Sequence, residues 1–153
     1  MADDRRPDAR TSPARPAEFG RWSFWRRWFG QRSERAAARY LRRQGYRILA
    51  ANISDRLGEI DLLALDPDGA TLVVVEVRST STADAQKAAD SVNYPKQKKL
   101  TEAAVRYLAR RGLLGVNLRF DVLAIAWPPA QREPTVLHFR QAFEATGRGQ
   151  MFS

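Results

Sequence analysis

The sequence predicts an α/β domain built on a mixed β-sheet with helices against it. Apolar periodicity alternates between helical and strand spacing in the order α, β, β, β, α, β, β, which suits a mixed sheet rather than a bundle or a sandwich. The chain has 153 residues, room for one domain with a real hydrophobic core plus an extension. Its longest apolar run, residues 71–77, has the length and β-branched content of a buried strand and is far too short to span a bilayer.

Taken in order, residues 1–31 form a basic N-terminal extension. Up to about residue 20 it mixes Pro, Arg, Asp and Ala with almost no apolar periodicity, a composition that cannot bury enough surface to order itself. In "RWSFWRRWFG", residues 21–30, Trp22, Trp25 and Phe29 would share one helical face. Three homes suit that face: an anionic membrane surface, nucleic-acid bases on which the rings stack, or the domain itself as a packing lid.

A domain is expected over residues 32–145, with a flexible tail at 146–153. Ser33 is placed to cap the alanine-rich helix "ERAAARYLRRQ", which puts Glu34, Ala37, Ala38 and Leu41 on one stripe and stops at Gly45. "YRILAANI", "GEIDLLALD" and "TLVVVEVRS" read as three strands, the last two joined by the turn "PDGA". Residues 80–93 are polar and carry no clear pattern. Pro95 opens a long helix to about Arg111 that turns Leu100, Ala104, Tyr107 and Leu108 inward, and Gly112 ends it. "NLRFDVLAIAW" is a fourth strand, and "TVLHFRQAF", after a Pro-rich loop, a fifth.

With 26 basic and 17 acidic residues the formal charge is +9, which suits nucleic acid or an anionic membrane surface. The absence of cysteine excludes disulfides, zinc ribbons and thiol nucleophiles, and the single His138 excludes a multi-histidine metal site. No Gly-rich phosphate loop is present, against a nucleotide-driven enzyme. Without an apolar signal region the expectation is a soluble, cytoplasmic protein. Oligomeric state is left open.

Glu76 and Arg78 interrupt the most apolar stretch of the chain. If the second and third strands form a hairpin with Asp66 opposite Thr71, Asp61 lies directly opposite Glu76 and Glu59 opposite Arg78. Directly opposed side chains have Cβ atoms ~5 Å apart, and two like charges so placed need a compensating positive charge. One answer is structural: Arg78 and other basic residues supply it through a Glu59–Arg78 ion pair. The other is a divalent cation, Mg²⁺ or Mn²⁺, held by the oxygens of Asp61 and Glu76, with Glu34 as a third carboxylate. A slip of one residue would send the two acids to opposite faces.

"GEIDLLALD", "VVVEVRST", "KQKKLTEAAVRYL", "RFDVLAI" and "HFRQAF", in this order across about residues 33–143, resemble the YraN family, uncharacterised restriction-endonuclease-like proteins. The resemblance implies a restriction-endonuclease-like core, in which an acid on one strand and an acid-x-lysine on the next form a nuclease site. Carried onto this chain, these are Asp61 and Glu76, with Glu34 the helical acid. Where the family usually has lysine, this chain has Arg78. Arginine can stabilise charge on a phosphate but stays protonated and cannot act as a base. The arginine and Phe-Gly pair that commonly follow the third strand in the family are not clear in "STSTADAQKAADSV".

The expected function is therefore that of a nucleic-acid-binding protein with a nuclease-type fold, a metal-dependent endonuclease acting on DNA more readily than RNA. The alternative is a non-catalytic binding module that has lost the lysine at Arg78, and a third reading is an adaptor seated on anionic lipid through residues 21–30. Lys96, Lys98 and Lys99 at the start of the long helix either contact phosphates or form a solvated face. Tyr107 is read as core. Asp121 matches the family pattern but could equally pair with Arg119 or Arg106, and His138 is placed away from the acids with little expected chemistry.

Overall fold

The computed structural model describes residues 32–80 and 84–146. The N-terminal extension with its Trp/Arg segment, and the tail from residue 147, lie outside the described residues. The elements are α1 (Arg32–Arg43), β1 (Arg47–Asp55), β2 (Gly58–Leu65), β3 (Thr71–Thr80), α2 (Ala85–Asp90), α3 (Tyr94–Arg110), β4 (Asn117–Ala126) and β5 (Thr135–Phe143).

The strands form one five-stranded sheet in sequence order, with every neighbouring pair antiparallel except β3 and β4, which run parallel. This mixed sheet flanked by helices is the expected α/β class and is compatible with a restriction-endonuclease-like core. The parallel pair requires a crossover, and α2 with α3 supplies it. The sequence reading missed α2: it has six residues in a polar stretch, too short for a periodicity to show, and Asp84 Oδ1 caps it by accepting the Lys87 N–H at 3.0 Å.

Both longer helices end by the same device. Tyr46 N–H donates to the Leu41 carbonyl and Gly45 N–H to that of Arg42, with Gly45 at a φ of +89°. Leu113 N–H and Gly112 N–H repeat the pattern on α3. These bonds satisfy the carbonyls that a helix end leaves free, and the left-handed turn residue is the reason for glycine. Ser33 is not the cap expected of it. It lies inside α1, where its Oγ donates to Ser79 Oγ and accepts the Trp127 indole N–H, both at 2.8 Å, tying the helix to β3 and the end of β4.

The sheet is apolar on both sides. Ala37, Ala38 and Leu41 of α1 pack with Leu62, Val73, Val75 and Leu123 on one face. Leu100, Ala103 and Ala104 of α3 pack with Leu63, Val74 and Phe120 on the other. The central strands β3 and β4 are covered on both faces, so they read as continuous apolar runs.

The β2–β3 register is the expected one: Leu65 opposite Leu72 through to Leu62 opposite Val75, with Asp66 N–H donating to Thr71 O at the turn. The ladder then stops. Asp61 uses Oδ2 to accept the Val77 N–H at 2.8 Å, so a side chain replaces the next backbone bond. Because pairing ends there, the Glu59–Arg78 cross-strand ion pair does not form, and Arg78 turns to Glu76 on its own strand.

Candidate active site

Where β2 leaves β3, a cavity of about 640 Å³ opens at the end of the sheet. Glu34 of α1, Asn52 of β1, Asp61 of β2, Glu76 and Arg78 of β3, Lys87 of α2 and Lys96 of α3 all line it. The structure thus brings Glu34, Asp61, Glu76, Arg78 and Lys96 to one place. It does not bring Lys98 and Lys99 there: both are exposed on α3.

Glu76 is the centre of the arrangement. It follows the apolar run of β3 and inherits its burial, so its side chain is only 5% exposed. Oε1 lies 3.4 Å from Lys96 Nζ and 3.5 Å from Arg78 Nε, while Oε2 is buried with no hydrogen-bond partner. Burial first, and then the neighbouring Asp61 carboxylate, push the Glu76 carboxyl up to about 7, against the pull of Lys96 and Arg78. Glu34 is also raised, by burial first, with the Asp61 and Glu59 charges adding and a hydrogen bond to Asn52 opposing. Its Oε2 is likewise buried without a partner. Asn52 reaches this position from a strand distorted by a bulge at Ile48/Ala50, and its own φ is +50°.

A hard divalent cation fits this donor set. Its acidic side chains offer only oxygens, two carboxylate oxygens lack partners, and five carboxylates against three cations line the cavity. Among the described residues no three Asp, Glu or His side chains form a ready-made cage. That leaves Asp61 and Glu76 as the carboxylates that adjoin one another, and two carboxylates would be enough for Mg²⁺, which keeps several waters.

Lys96 stands apart from Lys98 and Lys99, with which the sequence groups it as phosphate contacts or a solvated face: the Asn93 cap, whose Oδ1 accepts the Lys96 N–H at 3.1 Å, starts α3 so that Lys96 turns to Glu76. A periodicity cannot show that, because it does not say where a helix start lies relative to a strand end. Lys87 and Asp84 were missed with α2 itself.

The remaining candidates fall elsewhere. Asp121, 1% exposed, receives Arg119 Nε at 2.8 Å and the Gln141 N–H at 3.0 Å, and pairs with His138 Nε2 at 2.7 Å. Burial would raise its carboxyl, but the hydrogen bonds from His138, Arg119 and Gln141 outweigh it and hold the carboxyl low. Its partner is therefore Arg119, and Arg106 pairs instead with Asp55 at 2.7 Å. His138 lies away from the site acids, as expected, and does not line the cavity: it locks β5 to β4 through Asp121 and packs against Tyr40 and Tyr46. Tyr107 is half-buried against the core, under the Arg111 guanidinium.

Residues 33–125 match the uncharacterised protein family UPF0102, the YraN family. The chain belongs to that family. A UPF0102 protein of Rhodopirellula baltica is 48% identical over 119 residues, covering 77% of this chain and 71% of the relative. UPF0102 proteins of Geobacter sulfurreducens and Bordetella avium are each 44% identical, over 75% and 78% of this chain and 88% and 84% of theirs. The family match spans α1 to β4, so Glu34, Asp61, Glu76, Arg78 and Lys96 of this YraN-family chain all lie inside it.

Proposed function

We propose that this YraN-family domain binds nucleic acid over the cavity at the end of β3 and hydrolyses its phosphodiester bonds with Mg²⁺ or Mn²⁺ held by Asp61 and Glu76. The observation that carries the reading is the buried Glu76 carboxylate, with one oxygen lacking a partner, beside the half-buried Asp61 and flanked by two cations. A polyanion would be repelled by this acid-rich cavity, so its entry calls for a cation that neutralises the carboxylates. Such a cation, when bound, polarises the phosphodiester and lowers the pKa of water at the site. Arg78 presents its planar fork to non-bridging phosphate oxygens and stabilises the charge that develops there.

Lys96 answers the departure at Arg78. It brings a primary amine beside the same carboxylate from a different element, and an amine, unlike a guanidinium, can exchange a proton with the attacking water. Lys98 and Lys99, exposed and outside any ion pair among the described residues, hold the strand by its backbone. DNA is the favoured substrate and the cytoplasm the compartment in this reading. A second reading, a non-catalytic nucleic-acid-binding module, is favoured by Arg78 alone.

The test is a gel cleavage assay in Mg²⁺ and in Mn²⁺ on single-stranded, duplex, flapped and four-way-junction substrates, with Glu76→Ala prepared in parallel. Metal-dependent cutting that disappears in the variant while affinity persists is the expected result. Salt-sensitive binding without cutting would leave the binding module, and no binding at all would overturn both readings.

A further inference from the structure

Resting on that nuclease-type reading, we propose that the cavity takes an unpaired strand, with one base stacked on Tyr94 as the adjoining phosphate enters beside Lys96. Tyr94 is the first residue of α3, between Ser91 and Lys96, which both line the cavity. It is 61% exposed. The other three tyrosines each have a ring partner: Tyr40 and Tyr46 meet His138, and Tyr107 lies under Arg111. Among the described residues the Tyr94 side chain has no ring contact and no hydrogen bond.

An exposed aromatic is in itself ordinary. Here, however, neither packing nor helix formation asks for one. The first turn of a helix favours small, acidic or proline residues, and tyrosine is a middling helix former that at this position buries little. What the position does offer is a flat, exposed apolar face within one turn of Ser91 and Lys96, the cavity-lining residues on either side of it in the chain.

The depth of the site points to the same substrate. The Glu76 side chain is 5% exposed, within a cavity of the size that encloses a small ligand. A phosphate must be carried inward to reach it. A duplex holds its backbone on a stiff cylinder, whereas a single strand can bend a phosphate into a recess and leave its bases free to stack. Stacking on tyrosine accepts any base, because every base has a π-face, so little sequence preference is expected. Lys98 and Lys99 continue along the exposed surface of α3 and suit the phosphates that follow.

Fluorescence anisotropy on the full chain would test this, with a short labelled oligothymidylate and the same strand annealed to its complement. Ca²⁺, which takes the same oxygen donors, would serve as the divalent cation. Tyr94→Ala should weaken single-strand binding roughly 5- to 100-fold, leave duplex binding unchanged, and melt like the parent, while Tyr94→Phe should bind like the parent. Equal weakening on both substrates, or none on either, would overturn the stacking role while leaving the nuclease reading intact. If the parent chain binds neither substrate, the nucleic-acid reading fails and this inference falls with it.

Discussion

Glu76 occupies a position that resists its ionisation. In the unfolded chain its carboxyl titrates near the ordinary 4.5, and in the fold near 7. The folded state therefore keeps a proton that the unfolded state gives up, so this contribution is fully present below about 4.5 and is lost as pH rises through about 7. In metal-free buffer, urea-unfolding stability should fall across that window by about 3 kcal/mol, and Glu76→Gln should flatten the fall. At neutral pH Mg²⁺ or Mn²⁺ should then raise the melting temperature of the parent and not of Glu76→Gln, a readout of the metal site independent of cleavage. Lys96 acts on the same carboxylate from α3. Lys96→Met should push the Glu76 carboxyl higher still and slow cleavage roughly 10²- to 10³-fold, with strand affinity far less affected. A steady-state split of kcat from KM would check it, and equal loss in both would reduce Lys96 to a phosphate contact.

Among the elements, β4 and β5 depend on buried charge. Arg119 bridges Asp66 at 2.7 Å and Asp121 at 2.8 Å, and its NH2 group also donates to the Tyr46 hydroxyl at 3.0 Å. Arg119→Met would take the shared guanidinium from two buried carboxylates, leaving Asp121 to His138 and the Gln141 N–H and Asp66 to the exposed Arg140, and should cost about 3 kcal/mol by urea denaturation. Asp121 is held low in the fold, so its contribution is present above the ordinary carboxylate range and lost as pH falls. Asp55, held down to about 2 by the Arg106 guanidinium and by the Leu57 and Gly58 N–H groups, acts in the same direction. Stability of the metal-free chain should thus decline on both sides of an acidic optimum, through these acids below it and Glu76 above it. The elements themselves were largely legible. Alternating and continuous apolar runs announced all five strands, and the apolar stripe with its closing glycine announced both long helices. Only α2 escaped, because six residues make too little periodicity.

For the whole molecule, the formal charge of +9 predicts binding that weakens with salt. On single strands the slope of log affinity against log salt should change by about one when Lys98 or Lys99 is replaced by alanine, with no shift in base preference. No helix among the described residues is long and apolar enough to cross a membrane. By itself the sequence determined the α/β class, the family, the hairpin register and hence the nearness of Asp61 to Glu76, because strand period and turn chemistry are local properties that a string of residues carries. Tertiary structure decided the rest. It ended the β2–β3 ladder on the Asp61 side chain, set Arg78 against Glu76 rather than Glu59, turned Lys96 inward, and gave His138 to Asp121. Each of these depends on how far one element lies from another, a distance set by packing across the sheet and written in no single stretch of the chain.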